Sequence, residues 1–235
     1  MTIKVASSWD EYYQARAMQT QHLPIGDFFA AGCVPSSSHL ADVDFVAMDF
    51  ETTGLSPSND DIVSIGLVPF TLRGIALAKA QHWLLKPQVP LDHESVIVHG
   101  ITHNEIGNAP DLQDIYAEVL QVIQSKIVVV HYRSIEREFL DQALQLRLGE
   151  GVRFPVIDTM ELEALINPPP APCWWRFWQT NNRVSLRLMD SRERYHLPRY
   201  QQHHALTDAL ATAELFQAQV AWHYQPDNAI STLWC

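Results

Sequence analysis

Phe45-Val46-Ala47-Met48-Asp49-Phe50-Glu51-Thr52-Thr53-Gly54-Leu55 is an apolar run that ends in paired carboxylates and then a glycine turn. Side chains on an extended strand alternate faces, so Asp49 and Glu51 project to the same side, about 7 Å apart along the backbone. Two acids held in this way on the end of a buried element bind a hard cation through oxygen. Read alone, the same residues equally describe a strand edge carrying two solvated acids before a turn. Acids elsewhere in the chain decide between these readings.

One of them lies in the helix expected after the apolar run Ile127 to Val130. Residues four apart share a helix face: Glu138 falls with Gln142 and Gln145 on a polar side, whereas Glu136 falls with Leu140 and Leu144 and turns inward. Glu136 also sits in the first turn, where the partial positive charge of the helix terminus favours a carboxylate; a surface acid complementing that dipole is the plainer alternative. Asp208 lies in His203-His204-Ala205-Leu206-Thr207-Asp208-Ala209, on a mostly apolar helix where an unpaired charge is costly. His203, just ahead of that helix, is placed to take a proton from water beside a metal without binding it. A helix-start or core histidine is the competing reading.

Bringing these side chains together requires a sheet. Strands are expected at Val43 to Phe50, Asp61 to Val68 and Ala76 to Lys86, closely linked as antiparallel hairpins. After His99-Gly100, helices alternate with short apolar strands, the pattern of parallel crossovers. The helices are Asp111 to Ser125, Ser134 to Leu148, Thr159 to Ile166, Val184 to Tyr195 and His204 to Tyr224; the strands are Ile127 to Val130 and Phe154 to Ile157. The fold class is α/β, a mixed sheet flanked by helices, with Asp49 and Glu51 at the carboxyl end of a central strand, where such sheets bind ligands. Residues 1–41, with a short helix at Trp9 to Met18 and then Pro, Gly and Ser punctuation, read as an N-terminal appendage to a domain over 42–225, followed by a short tail over 226–235.

Composition sets outer limits. The chain has 235 residues, 47% of them hydrophobic, which suffices for one well-buried domain. No signal-peptide core or membrane-spanning run is present, and a cytoplasmic location is expected. Cys33, Cys173 and Cys235 fit neither a disulfide framework nor a zinc site and are expected to be free thiols. A net charge of −11 argues against a phosphate-rich partner, yet six of the 16 basic residues, Arg176, Arg183, Arg187, Arg192, Arg194 and Arg199, crowd one short stretch and suggest a local basic face. Acids that bind divalent metal would also be neutralised.

Asp49, Glu51, Glu136, His203 and Asp208, in this order and in these contexts, resemble the DEDDh family of DnaQ-like 3′ to 5′ exonucleases, which have a ribonuclease H-like fold. The similarity runs from about Asp42 to Ala221. It includes Asp49-x-Glu51-Thr52-Thr53-Gly54-Leu55, Ile62-Val63-Ser64-Ile65-Gly66, His99-Gly100-Ile101-Thr102, Asp158-Thr159 and His203-x-Ala205-Leu206-x-Asp208-Ala209. The middle motif departs from the family form, which resembles His-Asn-Ala-x-Phe-Asp. Here it reads His131-Tyr132-Arg133-Ser134-Ile135-Glu136, with Glu for the metal-binding Asp and Tyr for Asn. The resemblance implies Asp49, Glu51, Glu136 and Asp208 as ligands to two Mg²⁺ or Mn²⁺ ions, about 3.5–4 Å apart, for hydrolysis at phosphorus. His203 is then the general base, and Thr52, Thr53, Gly54, Leu55 and His99 hold the terminal nucleotide. Asp158 reads as a helix cap.

The implied partner is a nucleic-acid 3′ end, single-stranded DNA first, with RNA or short-oligonucleotide trimming as the alternative. A binding or polymerase-associated subunit of weak catalysis is the alternative of another class; retention of four acids and His203 argues against it. The proline-rich run Pro168 to Pro172 leads into a Trp- and Arg-rich segment from Cys173 to Arg187. That segment suits single-stranded nucleic acid, a homodimer or protein interface, or packing against the fold.

Overall fold

Seven of the eight residues of β1 (Phe45–Thr52) are buried in the computed structural model, which describes residues 8–89, 106–168, 184–201 and 203–235. Its side chains divide between two cores. Val46, Met48 and Phe50 join one with Ile65, Leu67, Val128 and Val130, while Phe45 and Ala47 join another with Val68, Phe70, Ile127 and Val129. A strand apolar on both faces must be covered on both, so β1 lies inside the sheet. It pairs antiparallel with β2 (Ile62–Thr71) and parallel with β5 (Ile127–Val130), which pairs parallel with β6 (Val156–Asp158).

The remaining strands, β3 (Gly74–Ile75) and β4 (Gln81–Leu84), both return antiparallel on β2. Of the single strand expected from Ala76 to Lys86, only Gln81–Leu84 forms, and Gly74–Ile75 pairs ahead of it. A 3₁₀ turn at Leu77–Lys79 lies between the two, so that the chain leaves Thr71 and Phe70 and rejoins β2 at Ser64 to Leu67. The mixed α/β sheet itself is as expected, with order β3-β2-β1-β5-β6 and β4 beside β2.

Seven helices among the described residues cover it. The first core is closed by α1 (Trp9–Gln19), α2 (Leu23–Ala30), α3 (Leu112–Ile123) and α4 (Arg133–Leu148). The second is closed by α5 (Thr159–Ile166) and α7 (Ala205–His223), with α6 (Leu188–Arg194) beside them. The loop expected around Pro24 and Gly26 is the helix α2. Pro24 occupies its first turn, where a missing N–H is no loss, and Ile25, Phe28 and Phe29 supply enough apolar surface to hold it. The rings of Phe28 and Phe29 pack with Tyr13 in the same cluster as Phe50. At the other end, Cys235 extends the sheet: its amide donates to the Val156 carbonyl at 2.9 Å. The helix expected at Val184 to Tyr195 begins only at Leu188. No helix among the described residues is long and apolar enough to cross a membrane.

One close approach fixes where α7 begins. Gly66 on β2 faces Asp49 in the strand register, and a β-carbon there would lie 2.3 Å from the Ala205 carbonyl carbon and 2.5 Å from the Leu206 nitrogen. Only glycine lets the first turn of α7 lie on the sheet at that point. Gly66→Ala is expected to cost about 1–3 kcal/mol through overpacking, read as a lower midpoint in urea unfolding. An unchanged midpoint would show that the turn yields freely.

Candidate active site

The face of β1 that carries Phe45 and Ala47 also carries Asp49 and Glu51, and it is the face on which α7 lies. Asp208, in the first turn of α7, meets them: oxygens of Asp49, Glu51 and Asp208 lie within 4.8 Å of one another. Asp208 Oδ2 accepts the His203 amide at 3.0 Å, while its Oδ1 is buried with no hydrogen-bond partner. Glu136, only 2% exposed in the first turn of α4, is not among those three, but its charge reaches Asp49. Its Oε2 is likewise buried and without a hydrogen-bond partner. Glu138 is exposed, as the helix periodicity predicts.

Folded proteins rarely leave buried carboxylate oxygens unmatched, so one such oxygen within the trio of converging acids, on Asp208, and another on Glu136 fit a cation. The donors are all carboxylate oxygen, which suits hard divalent ions such as Mg²⁺ and Mn²⁺.

The turn after β1 folds on itself. Thr52 Oγ1 donates to the Gly54 carbonyl at 2.6 Å, and Thr53 Oγ1 both accepts from the Asp61 amide at 3.0 Å and donates to Asp60 Oδ1 at 3.3 Å. A β-carbon at Gly54 would stand 2.5 Å from the Asp60 carboxylate, which itself accepts the Ser56 amide. Leu55 is left 81% exposed at the tip. His99 lies outside the described residues, as do Cys173, Arg176, Arg183 and the rest of the Trp- and Arg-rich segment through residue 183. Cys33 and Cys235 are free thiols.

Asp158 caps more than the helix it precedes. It accepts from Met160 and Glu161 at the start of α5, and from Tyr132 and Arg133 at the start of α4. Two helix origins are thus tied to one carboxylate.

Among the described arginines of the expected basic face, Arg192 lies inside the fold, Arg194 is partly buried, and Arg187 and Arg199 are exposed. Arg192 is fully buried against the Ala211 carbonyl and Glu214, Arg194 binds Glu163, and Arg199 pairs with Glu193. Arg187 instead lines a cavity of about 610 Å³ with His131, Tyr132, Met160, Leu188 and the exposed His203. His131 anchors that wall through Thr159 Oγ1 and the Leu186 carbonyl, each at 2.8 Å, and burial lowers its pKa. Sequence reasoning missed the wall because Tyr132 and Arg187 belong to no periodic pattern. Its signals were separate ones, the Tyr132 departure in the middle motif and Arg187 in the arginine cluster, which no spacing joins.

A mixed sheet with carboxylates converging on the end of its central strand from the sheet and from two flanking helices defines a ribonuclease H-like nuclease. The exonuclease family model RNase_T matches residues 46–216, and the chain belongs to this family of DnaQ-like, DEDDh exonucleases. It is 29% identical over 180 residues to the PolC-type DNA polymerase III of Thermotoga maritima, covering 76% of this chain but 12% of that protein. The DNA polymerase III subunit epsilon of Treponema pallidum is 27% identical over 181 residues, covering 77% of this chain and 78% of that one. Among solved structures, the nuclease domain of 3′hExo, a DEDDh family member bound to rAMP, aligns with TM-score 0.62 at 14% identity, over 80% of this chain and 94% of that one. Exonuclease X in complex with 5′ overhanging duplex DNA aligns with TM-score 0.58 at 21% identity, over 79% and 96%. These structural likenesses establish the fold.

Electrostatics give the site a thermodynamic signature. Burial raises the Asp49 and Glu136 carboxyls well above their ordinary range, and neighbouring carboxylates raise them further: Glu136, Asp208 and Glu51 around Asp49, Asp158 near Glu136. Burial also raises Asp208, against the lowering effect of its bond from His203. A raised folded-state pKa means that the folded protein keeps protons the unfolded chain has released. Without cation, the contribution of these groups is therefore fully present below about pH 4, near the unfolded values, and is lost as pH rises through the folded ones. The metal-free unfolding midpoint is expected to carry this loss above pH 4, and Mg²⁺ or Mn²⁺ to raise the midpoint more at pH 8 than at pH 5. Asp49→Asn should flatten the first effect and reduce the second. Equal metal shifts at both pH values in calorimetry would count against a carboxylate cation site.

Proposed function

We propose that the chain is a divalent-metal-dependent 3′ to 5′ exonuclease acting in the cytoplasm, releasing nucleoside 5′-monophosphates from the 3′ end of single-stranded DNA. The observation that carries this reading is the convergence of Asp49, Glu51 and Asp208 within 4.8 Å, beside the buried, unpartnered oxygen of Glu136. These four carboxylates would hold two Mg²⁺ or Mn²⁺ ions, which supply Lewis acidity toward water and the scissile phosphate. His203 stands on the cavity wall with its amide fastened to Asp208, so its imidazole is close to that centre without being needed as a ligand. It takes a proton from the attacking water. Leu55, the 52–54 backbone and His99 hold the terminal nucleotide.

Ribonucleic acid is the second reading, supported by the likeness to the nuclease domain bound to rAMP. The DNA polymerase III relatives support a proofreading-type partner in addition.

Matched DNA and RNA oligomers with free or blocked 3′ ends, digested over time with Mg²⁺ or Mn²⁺, test the proposal. Stepwise loss from free 3′ ends is expected, faster for DNA; intact oligomers at every enzyme concentration would refute it. His203→Ala should slow hydrolysis by roughly 10²–10⁴ while the metal-induced shift in unfolding midpoint persists. Glu136→Asp shortens the acid arm by one methylene and should change the Mg²⁺ to Mn²⁺ rate ratio. An unchanged ratio removes any significance from its length.

A further inference from the structure

Building on the exonuclease reading, we propose that Tyr132 is a stacking platform for a nucleobase at the 3′ end, received in the cavity it shares with His203. The backbone is the first indication. Tyr132 has φ 95° and ψ 75°, in left-handed territory that a bulky aromatic residue seldom enters. Its amide and that of Arg133 are each held by Asp158 at 3.0 Å, and those bonds use backbone atoms alone. Asparagine or glycine would make them with less strain. The tyrosine ring is therefore not required by the turn, and strained positions of this kind cluster where side chains meet ligands.

The ring's surroundings are the second indication. Tyr132 is 45% exposed and has neither an aromatic partner nor a hydrogen bond from its hydroxyl among the described residues. It forms part of the wall of the 610 Å³ cavity with His131, Met160, Arg187 and His203. An open cavity of that size accepts a small flat ligand. An aromatic face there, with an arginine on the same wall, suits a base together with its phosphate.

Connection to the reacting centre is the third. Tyr132 lies one helical turn ahead of Glu136, and His203 links the same cavity to Asp208 through its amide. A base stacked on Tyr132 thus stands beside the carboxylate centre.

The test compares wild type, Tyr132→Phe, Tyr132→Ala and Tyr132→Asn on a single-stranded DNA oligomer and on the same oligomer with its last two nucleotides abasic. Stacking predicts that KM on the normal oligomer rises roughly 5- to 100-fold for Ala and Asn, with kcat changed less than about twofold, and that Phe retains the wild-type KM. On the abasic oligomer the four proteins should share one KM. The Asn variant should unfold at or above the wild-type midpoint, which separates lost stacking from a damaged fold. An unchanged KM in Tyr132→Ala, or an equal loss on both oligomers, overturns the proposal. Binding of a fluorescent oligomer in Ca²⁺ decides the matter without turnover. Equal Kd for wild type and Tyr132→Ala overturns the platform, whereas tighter wild-type binding with no hydrolysis in Mg²⁺ or Mn²⁺ would sink the exonuclease reading alone.

Discussion

Mutual repulsion among crowded carboxylates is the constraint around which this molecule is organised. Asp49, Glu51, Glu136 and Asp208 lose hydration and face like charges, and nothing in their own chemistry draws them together without a cation. Apolar packing elsewhere must hold them. The two cores do so from opposite faces of β1, and Gly66 allows α7 to press close enough to bring Asp208 to the other acids. Arg147 secures the far side: its guanidinium binds Asp61 and Asp111, each at 2.7 Å, joining the start of β2 to the cap of α3.

Burial alone does not mark a site, as Glu163 makes plain. It is fully buried, and burial would raise its pKa, yet hydrogen bonds from Tyr195, Arg194 and Gln219 hold the carboxyl below its ordinary range. Glu136 is almost as buried and receives no comparable set. One acid has been neutralised by the fold and the other left for something the fold does not contain.

Much of this was legible in the residues. Asp49 and Glu51 declared themselves through strand alternation, and Glu136 through its place beside Leu140 and Leu144, because both periodicities follow from backbone geometry. Asp158 was legible as a cap for α5, but not as a cap for α4, since that contact depends on how β5 and β6 pair. Within the arginine cluster the fate of each residue was hidden for a related reason: charge says nothing about burial, and Arg192 finds carbonyls and Glu214 inside the protein whereas Arg187 and Arg199 stay exposed. Helix α2 was hidden by Pro24 and Gly26, whose local preferences are outweighed by three buried side chains. The handedness of Tyr132 has no counterpart in composition or spacing.

The Asp158 latch also bears on how the chain reaches its shape. It joins β6 to the start of α4 across 25 residues and closes the β5-α4-β6 crossover on itself. The acids of β1 and α7 meet only when nearly the whole family segment has been traversed, a loop closure costlier by about 1–2 kcal/mol in chain entropy. The half of the centre that holds Glu136 belongs to a short-range unit, and the half that holds Asp49, Glu51 and Asp208 depends on contacts between residues far apart in the chain.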